Sequence, residues 1–286
     1  MTSGSRLIIG CGYLGIRLAR LWSQEPTPLF ATTRQASRAD AFREQGLLPV
    51  RWDVLEGGDP LPKVDTVVYA VGYDRSQSSS KRAVYVDGLR NTLAHLPRPG
   101  RFIYVSSTGV YGDHQGNWID ESTPPAPLDE GGAACLEAEK MLQDFAAQND
   151  WQINILRFAG IYGPGRVIGV EGLRKGQPIA GNPDGWLNLI HVEDGARVID
   201  AASRRAGDGA TYLISDGQPV LRGDFYTYLA RQAGTPAPVF DPTAASRHRG
   251  DRRISNQKMM RELAPLLAYP SYREGVDHSL LANPQS

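Results

Sequence analysis

The segment "IIGCGYLG" places Gly10, Gly12 and Gly15 in a G-x-G-x-x-G spacing at the end of an apolar run. That spacing suits a strand that turns into a helix. Gly10 allows the tight turn, Gly12 lets a pyrophosphate approach the backbone, and Gly15 lets helix and strand pack closely. The helix N-terminus adds partial positive charge for the phosphates. Tyr13 and Leu14 complete the loop, and Cys11 between two glycines, with no base near it in sequence, reads as a small filler. The chemistry expected here is dinucleotide binding.

The next apolar run ends in Thr32-Thr33-Arg34. An NAD site carries an acid there, about 20 residues past the first glycine, to bond the ribose hydroxyls. A carboxylate would repel a 2′-phosphate, whereas the guanidinium of Arg34 can hold one, with Arg38 one helical turn on. NADP is therefore expected over NAD. Asp53 in "RWDV" either reaches an adenine edge or caps a turn.

These residues need a scaffold that brings strand ends together. Apolar runs "RLIIG", "PLFATT", "LLPVRW", "TVVYAV", "RFIYVSS" and "INILRFAG" alternate with helical patterns, which predicts a parallel α/β sheet covered on both faces. Leu14, Leu18, Leu21 and Trp22 make the buried stripe of the first helix. After Gly160 the chain becomes rich in Gly and Pro. "HVEDGARVIDAA" then reads as a helix and "ATYLISD" as one more strand. The tail holds two helical patterns, "DFYTYLARQAG" and "SNQKMMRELAPLL". The expected architecture is α/β: a Rossmann-type doubly wound parallel sheet from residues 1–165, to which 188–216 returns. Residues 166–187 and 217–286 would form a smaller C-terminal substrate lobe.

Composition narrows the function. Lys plus Arg and Asp plus Glu both number 31 in 286 residues, so no net field recruits nucleic acid or an anionic membrane. The two cysteines make no disulfide framework and suit a reducing cytoplasm. The five histidines have no metal-ligand spacing, so no metal is expected. No apolar run reaches the ~20 residues of a membrane span, and "MTSGSR" lacks the apolar segment of a signal peptide.

With "RFIYVSSTGVYG", "LRFAGIYGPGR" and "NLIHVEDGARVI" added to the glycine loop, the chain resembles the extended short-chain dehydrogenase/reductase family, the NAD-dependent epimerase/dehydratase group. The resemblance runs from Leu7 to about Leu267. It implies that Ser107, four residues before Tyr111, hydrogen-bonds the reacting oxygen; a local cap on the strand end is the competing reading. It also implies that "WDV", "YAVG" and "RFAG" line the adenine, ribose and nicotinamide regions, through Asp53, Val54, Ala70, Val71 and Phe158, with Ser106 beside them.

The family places Tyr-x-x-x-Lys at the start of the helix that carries the "LEAEK"-like segment, where the lysine and the oxidised nicotinamide lower the phenol pKa. Aligned on "LEAEK", those positions are Gly131 and Cys135, and no tyrosine occurs between Tyr111 and Tyr162. "VYVDGLRNTL" resembles the helix that supplies an active-site asparagine and has Tyr85 at that position, which makes Tyr85 the candidate substitute acid. Its bland alternative is a packed ring. In the small lobe, Arg166, Asn188 and the "RHRGDRR" segment from Arg247 are candidates for a substrate diphosphate, while His191 reads as structural. Two functions stay open. One is an NADP-dependent oxidoreductase, epimerase or dehydratase acting on a nucleotide sugar or a similar polar carbonyl or alcohol. The other is a catalytically silent NADP-binding sensor or partner-binding protein. The sequence leaves the oligomeric state open.

Overall fold

Strand β1 (Arg6–Ile9) is buried on both faces, and its alternation feeds two cores. Ile8 joins Leu14, Leu18, Trp22 and Phe42 on one side; Leu7 and Ile9 join Leu89, Leu93 and Leu142 on the other. The computed structural model describes residues 4–74, 76–244 and 250–282.

From β1 the chain runs through α1 (Gly15–Trp22), β2 (Leu29–Thr33), α2 (Ala36–Glu44), β3 (Leu48–Asp53) and the two-residue β4 (Gly57–Gly58). β5 (Thr66–Tyr69) leads to one π-helical turn, Ala83–Asp87, that continues as α3 (Gly88–His95). Then follow β6 (Arg101–Ser107), β7 (Trp118–Ile119), the long α4 (Glu130–Asn149), β8 (Ile153–Phe158) and β9 (Gly160–Tyr162). Next come α5 (Val170–Arg174), β10 (Ile179–Ala180), β11 (Trp186–Leu187), β12 (Leu189–His191), α6 (Val192–Arg205) and β13 (Thr211–Ile214). The tail forms β14 (Val220–Leu221), α7 (Arg222–Gln232), β15 (Phe240–Asp241), β16 (Arg253–Ile254), α8 (Gln257–Leu263) and α9 (Tyr272–Leu281).

The main sheet has eight strands in the order β13-β8-β6-β5-β1-β2-β3-β4. All its neighbours are parallel except the β3–β4 pair. Helices cover both faces, so the sheet is a doubly wound α/β fold. The strand order reverses at β1, whose neighbours are β5 and β2, and such a reversal opens a crevice at the carboxyl ends of the strands.

A separate apolar cluster gathers Tyr162, Leu173, Leu187, Phe225, Leu229 and Val276 from α5, α7, α9 and the short strand pairs. The tail is divided, because Met259 and Leu263 of α8 pack into the sheet's own core. Buried Asp194 on α6 holds the chain between them, accepting the N–H groups of Ala268 and Tyr269 at 2.8 Å each. Helix α9 is a third tail helix beyond the two read from the sequence. Among the described residues no helix is long and apolar enough to cross a membrane.

Candidate functional site

The three loop glycines meet three different demands. Gly10 has φ +85°, and a Cβ there would lie 2.7 Å from the backbone of Ala70 and Val71. Its N–H donates to Thr32 Oγ1 at 3.1 Å, which ties the turn to β2. A Cβ on Gly15 would meet Gly10 O at 2.8 Å and the Ile8 side chain at 3.1 Å. Gly12 is different: its Cβ would meet nothing nearer than Gly10 O at 4.0 Å. The first turn of α1 has neither a side-chain cap nor an acidic residue. The N–H groups of Ile16 and Arg17 bond to the carbonyls of Gly12 and Leu14, and the positive end of the helix faces no protein anion among the described residues. Leu14 turns its side chain into the core and offers the loop only its backbone. Tyr13 is half-buried, its hydroxyl donating to Pro164 O at 3.2 Å, with the guanidinium groups of Arg17 and Arg166 over its ring at 4.2 and 5.3 Å.

Beside this loop stand two guanidinium groups. Arg38 donates to Cys11 O at 2.6 Å, which brings its charge to the glycine loop. Arg34 is 46% exposed and lies between two carboxylates, 3.9 Å from Asp53 and 3.7 Å from Asp74. Asp53 caps a turn, its Oδ1 accepting the N–H of Leu55 at 2.7 Å and of Glu56 at 3.3 Å. The Thr33 hydroxyl likewise serves its own turn, accepting the N–H of Gln35 at 3.2 Å. Val54 packs against Gly88, and its carbonyl accepts from Asn91 at 2.9 Å.

Where β6 and β8 end, a cavity of about 340 Å³ opens toward β11 and the segment at Gly250 and Arg252. It brings together Ser107, Tyr85, Phe158, Gly131, Cys135 and Asn188 from five separate stretches of chain. Ser107 Oγ accepts the Gly109 N–H at 3.0 Å, a local cap that leaves its own proton to be donated into the cavity. Tyr85 lies half-buried against apolar neighbours of both α4 and β6. Burial foremost, and then the neighbouring Cys135, raise its pKa above the ordinary phenol value, with Tyr73 backbone and Arg166 acting the other way. At neutral pH it is a protonated donor. Burial pushes the Cys135 thiol up to about 12, so it is neither a cation nor a nucleophile at neutral pH.

The side chains of several candidate residues are engaged by other parts of the chain. The Ser106 hydroxyl turns to α4, donating to buried Glu139 at 2.5 Å. Glu139 also pairs with Arg157 at 2.6 Å, and Arg157 donates to the Tyr111 hydroxyl at 2.6 Å. Asn188 lines the cavity, yet its carboxamide clamps β16, donating to Arg252 O at 2.9 Å and accepting the Ile254 N–H at 2.8 Å. That clamp sets Arg252 into the cavity wall, where its guanidinium donates to Thr108 O at 2.8 Å and Gly112 O at 3.1 Å. Arg166 stays exposed over Tyr13, and Arg247 lies outside the described residues. His191 is fully buried among Tyr162, Tyr269 and His278; burial, then His278, lower its pKa to about 3.

Sequence reasoning missed Lys81. Its ammonium lines the cavity 3.0 Å from the point where a Cβ on Gly131 would stand. The signal was present in "KRAVY", where Lys81 precedes Tyr85 by one helical turn.

The NAD dependent epimerase/dehydratase family model matches residues 7–215. Protein YeeZ of Escherichia coli is 30% identical over 246 residues, covering 82% of this chain and 85% of YeeZ. A functionally unknown conserved protein from Silicibacter pomeroyi superimposes with a TM-score of 0.78 at 29% identity, over 98% of this chain and 99% of that one. The UDP-glucuronic acid 4-epimerase of Bacillus cereus, solved with UDP-glucuronic acid and NAD, shares the fold at a TM-score of 0.79 and 18% identity, over 97% and 98% of the two chains. With a family match over most of its length and the glycine loop at the switch of strand order, the chain belongs to the NAD-dependent epimerase/dehydratase family.

Proposed function

We propose that this chain is an NADP-dependent oxidoreductase of epimerase/dehydratase type acting on a nucleotide sugar or a similar polar carbonyl or alcohol. One observation carries the reading: the cavity that holds Ser107 and Tyr85 opens where β6 and β8 end, the same sheet edge at which β1 runs into the glycine loop, so a hydroxyl donor and a phenol face one reaction space. The cradle suits a dinucleotide. The backbone from Gly10 to Gly15, with Tyr13 and Leu14, would hold the pyrophosphate on the open face of Gly12. Thr33 and Arg34 would take the 2′-phosphate, Asp53 and Val54 the adenine, and Ala70 and Val71 the ribose. Phe158, with the backbone of Ser106, would flank the nicotinamide. When bound, that cofactor supplies hydride exchange; the chain's part is to orient the reacting oxygen and govern its proton.

Gly131 and Cys135 favour a second reading. An α4 without the family's tyrosine and lysine could belong to an NADP-binding protein that performs no chemistry and senses cofactor or binds a partner. NADPH consumption with UDP-linked and dTDP-linked ketosugars separates the two, since turnover of any of them excludes the silent protein. Cofactor choice is tested by calorimetry. Arg34→Ala is expected to weaken NADPH binding by about 1.5–3 kcal/mol, the range for hydrogen bonds to charged groups, and to leave NADH unchanged. Equal weakening of both, or tighter wild-type binding of NADH, would sink the NADP assignment.

A further inference from the structure

The first turn of α4 carries two glycines, Gly131 and Gly132, and each faces another part of the chain. Gly132 touches the β6–α4 connection so closely that a Cβ would overlap the Gly109 carbonyl. Gly131 instead meets Lys81, whose Nζ and Cδ would stand 3.0 and 3.2 Å from its Cβ. Lys81 opens the helical segment that carries Tyr85, and its neighbour Arg82 holds that segment to α4 through Glu137, with donors 2.6 and 3.1 Å from the two carboxylate oxygens. The charged residues in the cavity wall are Lys81, Asp129 and Arg252. Asp129 is committed to the Gly132 N–H at 2.8 Å, and Arg252 to two carbonyls. Lys81 has no hydrogen-bond or ion-pair partner among the described residues.

We propose that Lys81 is the acid of this active site, and that residue 131 is glycine in order to admit its ammonium. The inference rests on the reading that the cavity reduces carbonyls with NADPH. In that step the carbonyl carbon gains a hydride from the reduced nicotinamide, which is oxidised, and the carbonyl π pair moves to oxygen. A Lys81 N–H bond breaks as an O–H bond forms on that oxygen, with Ser107 and Tyr85 donating hydrogen bonds to it. The half-buried amine then regains a proton from water at the cavity mouth. In the oxidative direction each transfer reverses.

Two measurements test this. The chain has five lysines, so reductive methylation with isotope-labelled formaldehyde gives a short set of lysine NMR signals, and Lys81→Arg identifies the one from Lys81. NADP⁺ is expected to displace that signal and leave the other lysines in place. A Lys81 signal that ignores NADP⁺, while calorimetry shows the cofactor bound, overturns the proposal and spares the functional reading. Absence of NADP⁺ binding in calorimetry overturns both. With a UDP-linked ketosugar that the wild type reduces, Lys81→Met is expected to lower turnover by about 10²–10⁴ without weakening NADPH binding. Lys81→Arg keeps the charge but cannot release a proton, so it is expected to stay equally low. Recovery in Lys81→Arg would assign Lys81 a role in anchoring charge and overturn its role as acid.

Discussion

Two helices of this protein begin with glycines at the same edge of the sheet, and they use them differently. At the start of α1, Gly12 faces open space and no side chain caps the helix. At the start of α4, Asp129 caps the helix, Gly132 is pressed against Gly109, and the end of Lys81 stands over Gly131. Of the loop glycines before α1, Gly10 and Gly15 are packed against the chain, and only Gly12 keeps its side-chain space open. The α4 pair takes in other parts of the chain itself. Glycine content alone therefore says nothing about ligand binding; what a side chain would strike decides it.

The largest expected effect tests the open member of the pair. Gly12 does not have a positive φ, so valine fits its backbone, and the space above it is free of protein. Gly12→Val is expected to abolish NADPH binding in calorimetry while the thermal midpoint stays at the wild-type value. Undiminished binding would place the cofactor elsewhere and remove the contrast with α4.

The filled member should respond in stability. A methyl on Gly132 runs into a backbone carbonyl that cannot move without shifting the turn Thr108–Val110, so Gly132→Ala is expected to cost about 1–3 kcal/mol in urea denaturation. Gly131→Ala meets chiefly the flexible end of a lysine, and alanine's helix propensity, better by up to about 1 kcal/mol, offsets that shift. It is expected to leave stability intact and to move the Lys81 signal. Equal losses in both variants would mean that both glycines serve packing alone.

This contrast also explains what could be read beforehand. All seven strands expected from apolar runs entered the main sheet; six are contiguous, largely buried segments, and β3, exposed at Leu48 and Arg51, still buries Val50 and Trp52. The glycine loop was legible because its spacing lies within six residues at one strand–helix turn, although Gly10 also answers to Thr32, Ala70 and Val71 on neighbouring strands. The cavity was only half legible. Ser107 and Tyr85 belong to local motifs, but Lys81 reaches Gly131 from 50 positions away, and no spacing rule links them. The side-chain polar groups of Asn188 and Ser106 are held by distant partners, β16 and Glu139, which no local pattern announces. The antiparallel β4, two glycines long, and the π-helical turn carry no hydrophobic period to read.

The smallest expected effect separates capping from charge at the start of α4. Asp129 Oδ1 accepts the Gly132 N–H at 2.8 Å, and the same oxygen would lie 3.2 Å from a Cβ on Gly131, on the side facing the cavity. Asp129→Ala removes the acceptor and leaves an N–H of the first turn without a partner, which should cost about 1 kcal/mol. Asp129→Asn keeps an acceptor oxygen of equal capping strength and drops only the negative charge. Its loss should be limited to the interaction of that charge with the helix dipole, about 0.3–1 kcal/mol at low salt, and should fade as salt is added. The alanine deficit should persist in salt, because a missing hydrogen bond is not screened. If both variants lose the same amount and both recover in salt, charge and not capping holds this helix start. The α4 glycines would then resemble those of α1 more closely than the geometry implies.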